Sequence, residues 1–208
     1  MIKLYGASPS RATRVEWVLR ELDVEFESIT VDLRAGEHLT PAFLRLNPAH
    51  KVPVLVDGDE VLTESAAIAM YLADKYADKH LIPADVKQRG QIYRWILFAA
   101  TELEQPLWRI VRHSFFYPED KRLPADIALA RGDFRDMAKG FEQHMSGRQF
   151  VVSDSFTVAD CVMAWTIDWA GETKLLDGLP NTQAYLERIY ARPKAPQRMA
   201  AAVAAMQK

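Results

Sequence analysis

Apolar positions change their period more than once along this 208-residue chain. Residues 2 to 6 (Ile-Lys-Leu-Tyr-Gly) alternate, which predicts a short strand. Ser8-Pro9-Ser10 reads as a turn, and Val15, Val18, Leu19 and Leu22 then recur at helical spacing. Phe26 to Val31 forms a second strand signal, so the opening is strand–helix–strand with the strands expected parallel. Glu37 to Leu46 is a short irregular or helical piece. Val54-Leu55-Val56 and Val61-Leu62 flank Asp57-Gly58-Asp59, whose Asp-Gly pair predicts a hairpin. Ala66 to Tyr76 is a third helix, with Ile68, Tyr71 and Leu72 on one stripe and Thr63 as its expected cap.

Beyond Tyr76 the strand signals stop. The stretch from Ala77 to Asp85 is polar and contains Pro83, as a linker would. Helical patterns then cover about 86 to 115, 125 to 145, 157 to 171, 182 to 191 and 195 to 206. Pro118, Pro124, Gly147, Gly178-Leu179-Pro180 and Pro193 fall between them as breakers. Mixed strands and helices followed by helices alone predict two modules. We place an α/β domain at 1–78 and an all-helical domain at 86–208, joined by 79–85. The Ala-rich tail Met199 to Met206 reads as a surface helix.

Composition narrows the function classes. Hydrophobic residues make up 49% and charged residues 26%, ordinary for a globular protein. The first 84 residues carry 9 basic and 13 acidic side chains, the remainder 17 and 15. Neither part has the basic excess of a nucleic-acid or anionic-membrane binder. The start, Met1-Ile2-Lys3-Leu4-Tyr5, lacks the pattern of a signal peptide, and no stretch reaches the roughly 18 apolar residues of a membrane span. Cys161 is the one cysteine, so no intrachain disulfide can form and a cytoplasmic location is the simplest expectation.

Three short segments carry candidate chemistry. Pro53 follows Val52 at the start of a strand, where it removes a backbone donor. As an edge-strand proline with a trans bond it needs no further role; with a cis bond it would turn Val52 N–H and C=O outward, able to pair with an extended peptide. Glu64-Ser65 opens the third helix, where free N–H groups attract anions. It is either an acidic first turn that stabilises the helix or a pair that holds a carboxylate and an ammonium. Ser10-Arg11 lies between the first strand and helix. Ser10 suits a helix cap, and its hydroxyl equally suits donation to a thiol sulfur, which favours the thiolate.

His38 and Lys51 can contact a carboxylate, or simply remain solvated. Thr157-Val158-Ala159-Asp160 is a capping box assigned to folding. Cys161 inside an apolar helix is expected as a buried small hydrophobe. Trp108, Phe115, Phe116, Tyr117, Trp165 and Trp169 form a large aromatic set, most of it expected in the core and some lining an apolar pocket.

Together these segments resemble the cytosolic glutathione transferases, in particular the serine-type phi-like and theta-like classes as found in bacteria. The resemblance runs from Leu4-Tyr5-Gly6 and Ser10-Arg11 through Glu37 to Pro48, Lys51-Val52-Pro53-Val54-Leu55 and Leu62 to Ile68, and on to Phe156-Thr157-Val158-Ala159-Asp160. Each motif is weak alone; five in order at family spacing are specific. The resemblance implies a thioredoxin-like N-terminal domain and a helical C-terminal one, with glutathione as cosubstrate and no metal. Val52 would clamp the cysteinyl backbone beside a cis Pro53, and Glu64 and Ser65 would hold the γ-glutamyl end. His38 and Lys51 would approach the glycine carboxylate, with Ser10-Arg11 facing the same tripeptide. Ser10 matches the serine that activates the thiol, with Tyr5 as the alternative and Ser8 a distant third. Trp108, Arg112, Phe115, Tyr117 and Trp169 are expected to line the surface for a small hydrophobic electrophile.

The activity implied is conjugation of the glutathione thiolate to that electrophile. The alternatives are a glutathione-dependent reductase, dehalogenase or isomerase, and a non-enzymatic glutathione-binding protein. Ser10 stands where reductive relatives carry cysteine, which lowers the odds of a reductase. A homodimer is implied by the resemblance alone.

Overall fold

The computed structural model describes residues 1–206, which divide into two compact units: 1–83 together with the described residues from 193 on, and 84–192. In the first, strands β1 (Ile2–Gly6), β2 (Phe26–Thr30), β3 (Val54–Asp57) and β4 (Glu60–Thr63) form one sheet in the order β2-β1-β3-β4. β1 and β2 run parallel, as a strand–helix–strand opening requires, while β3 and β4 are antiparallel to their neighbours. The hairpin turns at Gly58, whose φ of 63° is the left-handed value that favours glycine after aspartate.

Helices α1 (Ala12–Glu21), α2 (Pro41–Leu46) and α3 (Ser65–Lys75) complete the thioredoxin-like arrangement. Alternation along β1 sorts them. Ile2, Leu4 and Gly6 are buried on the face covered by α1, which packs on α3. Tyr5 points the other way, against the cluster of Val31, Phe43 from α2 and Val54. Gly6 is demanded by close approach: a Cβ there would fall 2.3 Å from the Ala12 Cβ. That contact brings the start of α1 against the end of β1.

Thr63 does not cap α3. It pairs with Val54 as the last residue of β4, and Glu64 takes the cap position at φ 63°, ψ 103° without a side-chain cap bond. The chain leaves the ladder and enters the helix within one residue, so that residue absorbs the whole change of direction.

The second unit is helical: α4 (Val86–Phe98), α5 (Glu104–Val111), α6 (Pro124–His144), α7 (Val158–Glu172) and α8 (Pro180–Tyr190), with α9 (Met199–Met206) belonging to the first. The single helix expected over 86 to 115 is α4 and α5 with wide π-turns at Ala99–Leu103 and Arg112–Phe116. α7 is buried along almost its whole length and packs on α4 and α8. The core uses Trp95, Phe134, Phe141, Trp165 and Tyr185. Most of the aromatic set expected there lies elsewhere: Trp108, Tyr117 and Trp169 are half-buried, while Phe115 and Phe116 are exposed. For the exposed pair the reason is the π-turn at Arg112–Phe116, which breaks the regular helical register where Phe115 and Phe116 stand. Among the described residues no helix is long and apolar enough to cross a membrane.

Candidate functional site

The end of β1, the start of α1, the segment before β3 and the start of α3 converge. Besides the Ala12 contact, the position of a Gly6 Cβ lies 3.9 Å from the Val52 Cβ, so Val52 borders the α1 N-terminus. Ser10 sits on the same turn. Its Oγ accepts from Ala12 N–H at 3.1 Å, which uses a lone pair and leaves the hydroxyl proton free to donate. Arg11 occupies the α1 cap position and Ser8 is exposed, ahead of a cis Ser8–Pro9 bond.

Val52–Pro53 is cis, and Pro53 is buried. Among the described residues Val52 N–H and C=O take no hydrogen-bond partner. A half-buried backbone donor and acceptor left open beside a helix N-terminus is the condition a bound peptide would meet. Asn47, overlooked in the sequence, fixes this segment. Its Nδ2 donates to Lys51 C=O at 2.8 Å and its Oδ1 accepts from Ala49 N–H at 3.0 Å.

Glu64 is exposed, and Ser65 is 2% exposed. Ser65 Oγ accepts from Arg14 Nε at 3.0 Å and Nη2 at 2.6 Å. Arg14, also 2% exposed, was the second residue missed. Its position in the first turn of α1 carries no motif; only the packing of α1 on α3 brings it to Ser65 at the α3 N-terminus. A guanidinium fixes the Ser65 oxygen as acceptor and directs the Ser65 proton outward, so both positive charge and a donor stand where an anion would arrive.

His38 lies in the short turn Glu37–Leu39, held by Asp32: Oδ1 accepts from Arg34 and Ala35 N–H at 2.8 and 3.0 Å. Among the described residues His38 Nδ1 is buried without a partner, and its ring stands 6.3 Å from that of His50, a histidine the motifs did not single out. Lys51 follows His50 and is exposed. Lys51 thus adds a cation next in sequence to the second of the two neighbouring rings. Tyr5 packs against Val31, Phe43 and Val54, its register placing it over α2.

Trp108, Arg112, Phe115, Tyr117 and Trp169 belong to the helical unit. Trp108 lies 5.3 Å from Phe116, Arg112 sits 4.6 Å over the Tyr117 ring, and Trp169 is 5.6 Å from Trp165. Among the described residues no group of three or more His, Cys, Asp or Glu could hold a metal.

Family models for the glutathione S-transferase N-terminal and C-terminal domains match residues 1–74 and 107–193. The chain belongs to the glutathione S-transferase family. It is 32% identical over 207 residues to glutathione S-transferase F9 of Arabidopsis thaliana, covering 93% of this chain and 94% of the relative. The solved structure of transferase F7 from Populus trichocarpa superposes with a TM-score of 0.84 at 25% identity, covering 99% of each chain. A Burkholderia graminis transferase, solved with two glutathione molecules per subunit, gives 0.85 at 25% identity over 93% of this chain and 85% of that one. In this transferase the convergent segments are those the sequence motifs marked, with Arg14, Asn47 and His50 added by the fold.

Proposed function

We propose that the protein conjugates glutathione to a hydrophobic electrophile, with residues 1–78 holding the tripeptide. The observation that carries this is the unpaired Val52 backbone set beside Ser10 and the α1 N-terminus. Val52 pairs with the cysteinyl residue as an added strand would, placing the sulfur over the Ser10 turn. Glu64 and Ser65, the latter positioned by Arg14, take the γ-glutamyl end; His38 and Lys51 take the glycine carboxylate, with His50 beside them. Arg11 adds positive charge at the mouth of the turn.

Ser10 O–H donates to the sulfur and stabilises the thiolate over the thiol. A free thiol titrates near pH 8.5, and each tenfold gain in thiolate needs about 1.4 kcal/mol of preferential stabilisation. A hydroxyl donor with the α1 N-terminal field supplies stabilisation of that order. The thiol proton leaves to solvent, the sulfur bonds to the electrophilic carbon, and a leaving group departs or the adduct is protonated. Trp108, Arg112, Phe115, Tyr117 and Trp169 provide the surface for that second substrate. The active form is a homodimer, and exposed Val86, Leu97 and Leu129 are apolar side chains a second copy would cover. A cytoplasmic setting fits a chain whose single cysteine is buried.

The test is Ser10→Ala against Tyr5→Phe. Ser10→Ala should raise the bound thiol pKa by about one and cut the conjugation rate at least about tenfold, while Tyr5→Phe leaves both in place. Unchanged rate and thiol pKa in Ser10→Ala would remove Ser10 as activator.

A further inference from the structure

The loop from Arg148 to Val151, between α6 and α7, is fastened from three helices. Arg188 of α8 donates from Nε and Nη2 to Gln149 C=O at 3.2 and 3.0 Å, and from Nη2 to Arg148 C=O at 3.1 Å. Val151 N–H donates to Asp160 Oδ1 of α7 at 2.9 Å. Val151 C=O lies 2.8 Å from Nε2 of His144, the last residue of α6. A carbonyl can only accept, so Nε2 carries the proton and Nδ1 is the nitrogen left to gain one.

Positive charge gathers here without a counter-charge. The His144 ring stands 4.2 Å from that of Trp95 on α4, and the Arg94 guanidinium lies 4.6 Å over the same side chain. Arg94 and Arg148 are exposed. Among the described residues the Arg148 side chain makes no hydrogen bond or ion pair, and Arg94 bonds only the neutral Gln91 Oε1, at 3.1 Å. Arg188 meets carbonyl oxygens and no carboxylate. The neighbouring acids are spent elsewhere. Glu142 accepts from Asn181 and Thr182 N–H at 2.9 and 2.8 Å at the start of α8, while Asp160 is held by Val151, Thr157 and Tyr185. Burial first, then the charges of Arg148 and Arg94, hold the His144 imidazole below its ordinary range, against the pull of the Val151 carbonyl. Like charges left together repel, and an anion among them relieves that repulsion.

We propose that Arg94, His144 and Arg148 bind a phosphate group of a soluble compound, at a site within the helical unit and apart from the residues assigned to glutathione. The proposal does not rest on the transferase reading. A phosphate monoester carries a charge of about −1.5 to −2 at pH 7, which suits two guanidinium groups donating charge-assisted hydrogen bonds. Protonated His144 adds a third positive charge. Because α6, α7 and α8 all hold the loop, Arg148 is presented from a fixed backbone and less freedom is lost on binding.

The experiment titrates the full chain with sodium pyrophosphate by calorimetry at low ionic strength. The wild type should bind one pyrophosphate per chain. Arg148→Gln should weaken binding at least about tenfold, Arg148→Lys should keep part of it, and neither should move the unfolding midpoint, since that side chain bonds nothing in the fold. Arg94→Gln should weaken binding to a similar degree. Followed by NMR, the His144 ring should titrate at higher pH when pyrophosphate is present, because the anion favours the protonated ring, and Arg148→Gln should remove that shift. Saturating S-methylglutathione should leave pyrophosphate affinity unchanged. Absent binding, affinity that survives Arg148→Gln, a His144 titration indifferent to pyrophosphate, or displacement by S-methylglutathione overturns the proposal. Binding to phosphatidic acid vesicles without binding of free pyrophosphate would overturn it too, by assigning the basic cluster to a lipid surface.

Discussion

Around Asp160 a buried carboxylate is met from inside on both oxygens, whereas around Val52 a half-buried backbone is left open. Asp160 Oδ1 accepts from Val151 N–H at 2.9 Å and Tyr185 O–H at 3.2 Å. Its Oδ2 accepts from Thr157 N–H at 2.8 Å, closing the capping box of α7. Near Val52 polar groups are left open among the described residues: an unpaired Val52 N–H and C=O, and a Ser65 proton aimed away from Arg14. Burying unmet polar groups costs free energy, so a protein keeps them where a ligand supplies the partner. The satisfied cluster suits folding, and the open one is where the proposed tripeptide would find partners.

That contrast can be broken first at Asp160. Asp160→Ala strands several buried donors, and we expect a loss of about 4 kcal/mol in folding free energy by chemical denaturation. Glutathione KM, measured on the fraction that remains folded, should hold.

The next effect is on pH. Burial pushes the Asp160 carboxyl up to about 6 from 3.8, against the pull of its donors. Between those values the folded chain holds a proton that the unfolded chain has released. The contribution of this group to stability therefore falls as pH rises through that window, by about 3 kcal/mol in all, and levels off above it. Denaturation midpoints followed across the same window should show this slope in the wild type and lose it in Asp160→Asn.

On the open side, Arg14→Leu should raise glutathione KM about tenfold with kcat little changed, because the Ser65 hydroxyl would lose its direction while the Ser10 turn stays intact. Arg14→Lys should recover part of the loss. An equal fall in kcat instead would give Arg14 a place in the chemical step. The smallest effect is expected for Asn47→Ala. Freed from its two bonds, the segment 47–52 should cost about 1 kcal/mol in stability and a few-fold in glutathione KM.

Much of the site was legible because its parts are local. A cis-capable proline before a strand, an acid and hydroxyl opening a helix, and a serine in a strand–helix turn each act within a few residues of themselves. The capping box at Thr157 and the Asp57-Gly58 hairpin were legible for the same reason. Arg14 was not, since nothing within α1 says that α3 will start above it. His50 and Asn47 were hidden in a turn whose partners depend on how the chain crosses from α2 to β3. Thr63 was misjudged because capping preference is local, while the β4 ladder that claims it is not.

Sequence alone therefore determined the element order, the two-module plan, the family and the segments that could meet a tripeptide. Periodicity and turn chemistry are properties of neighbouring residues. Tertiary structure decided that Tyr5 packs over α2, that Arg14 orients Ser65, that the Val52 backbone stays unpaired, and that a π-turn carries Phe115 and Phe116 outward. Each of those depends on which buried groups find partners across the fold, and no window of sequence contains both halves of such a pair.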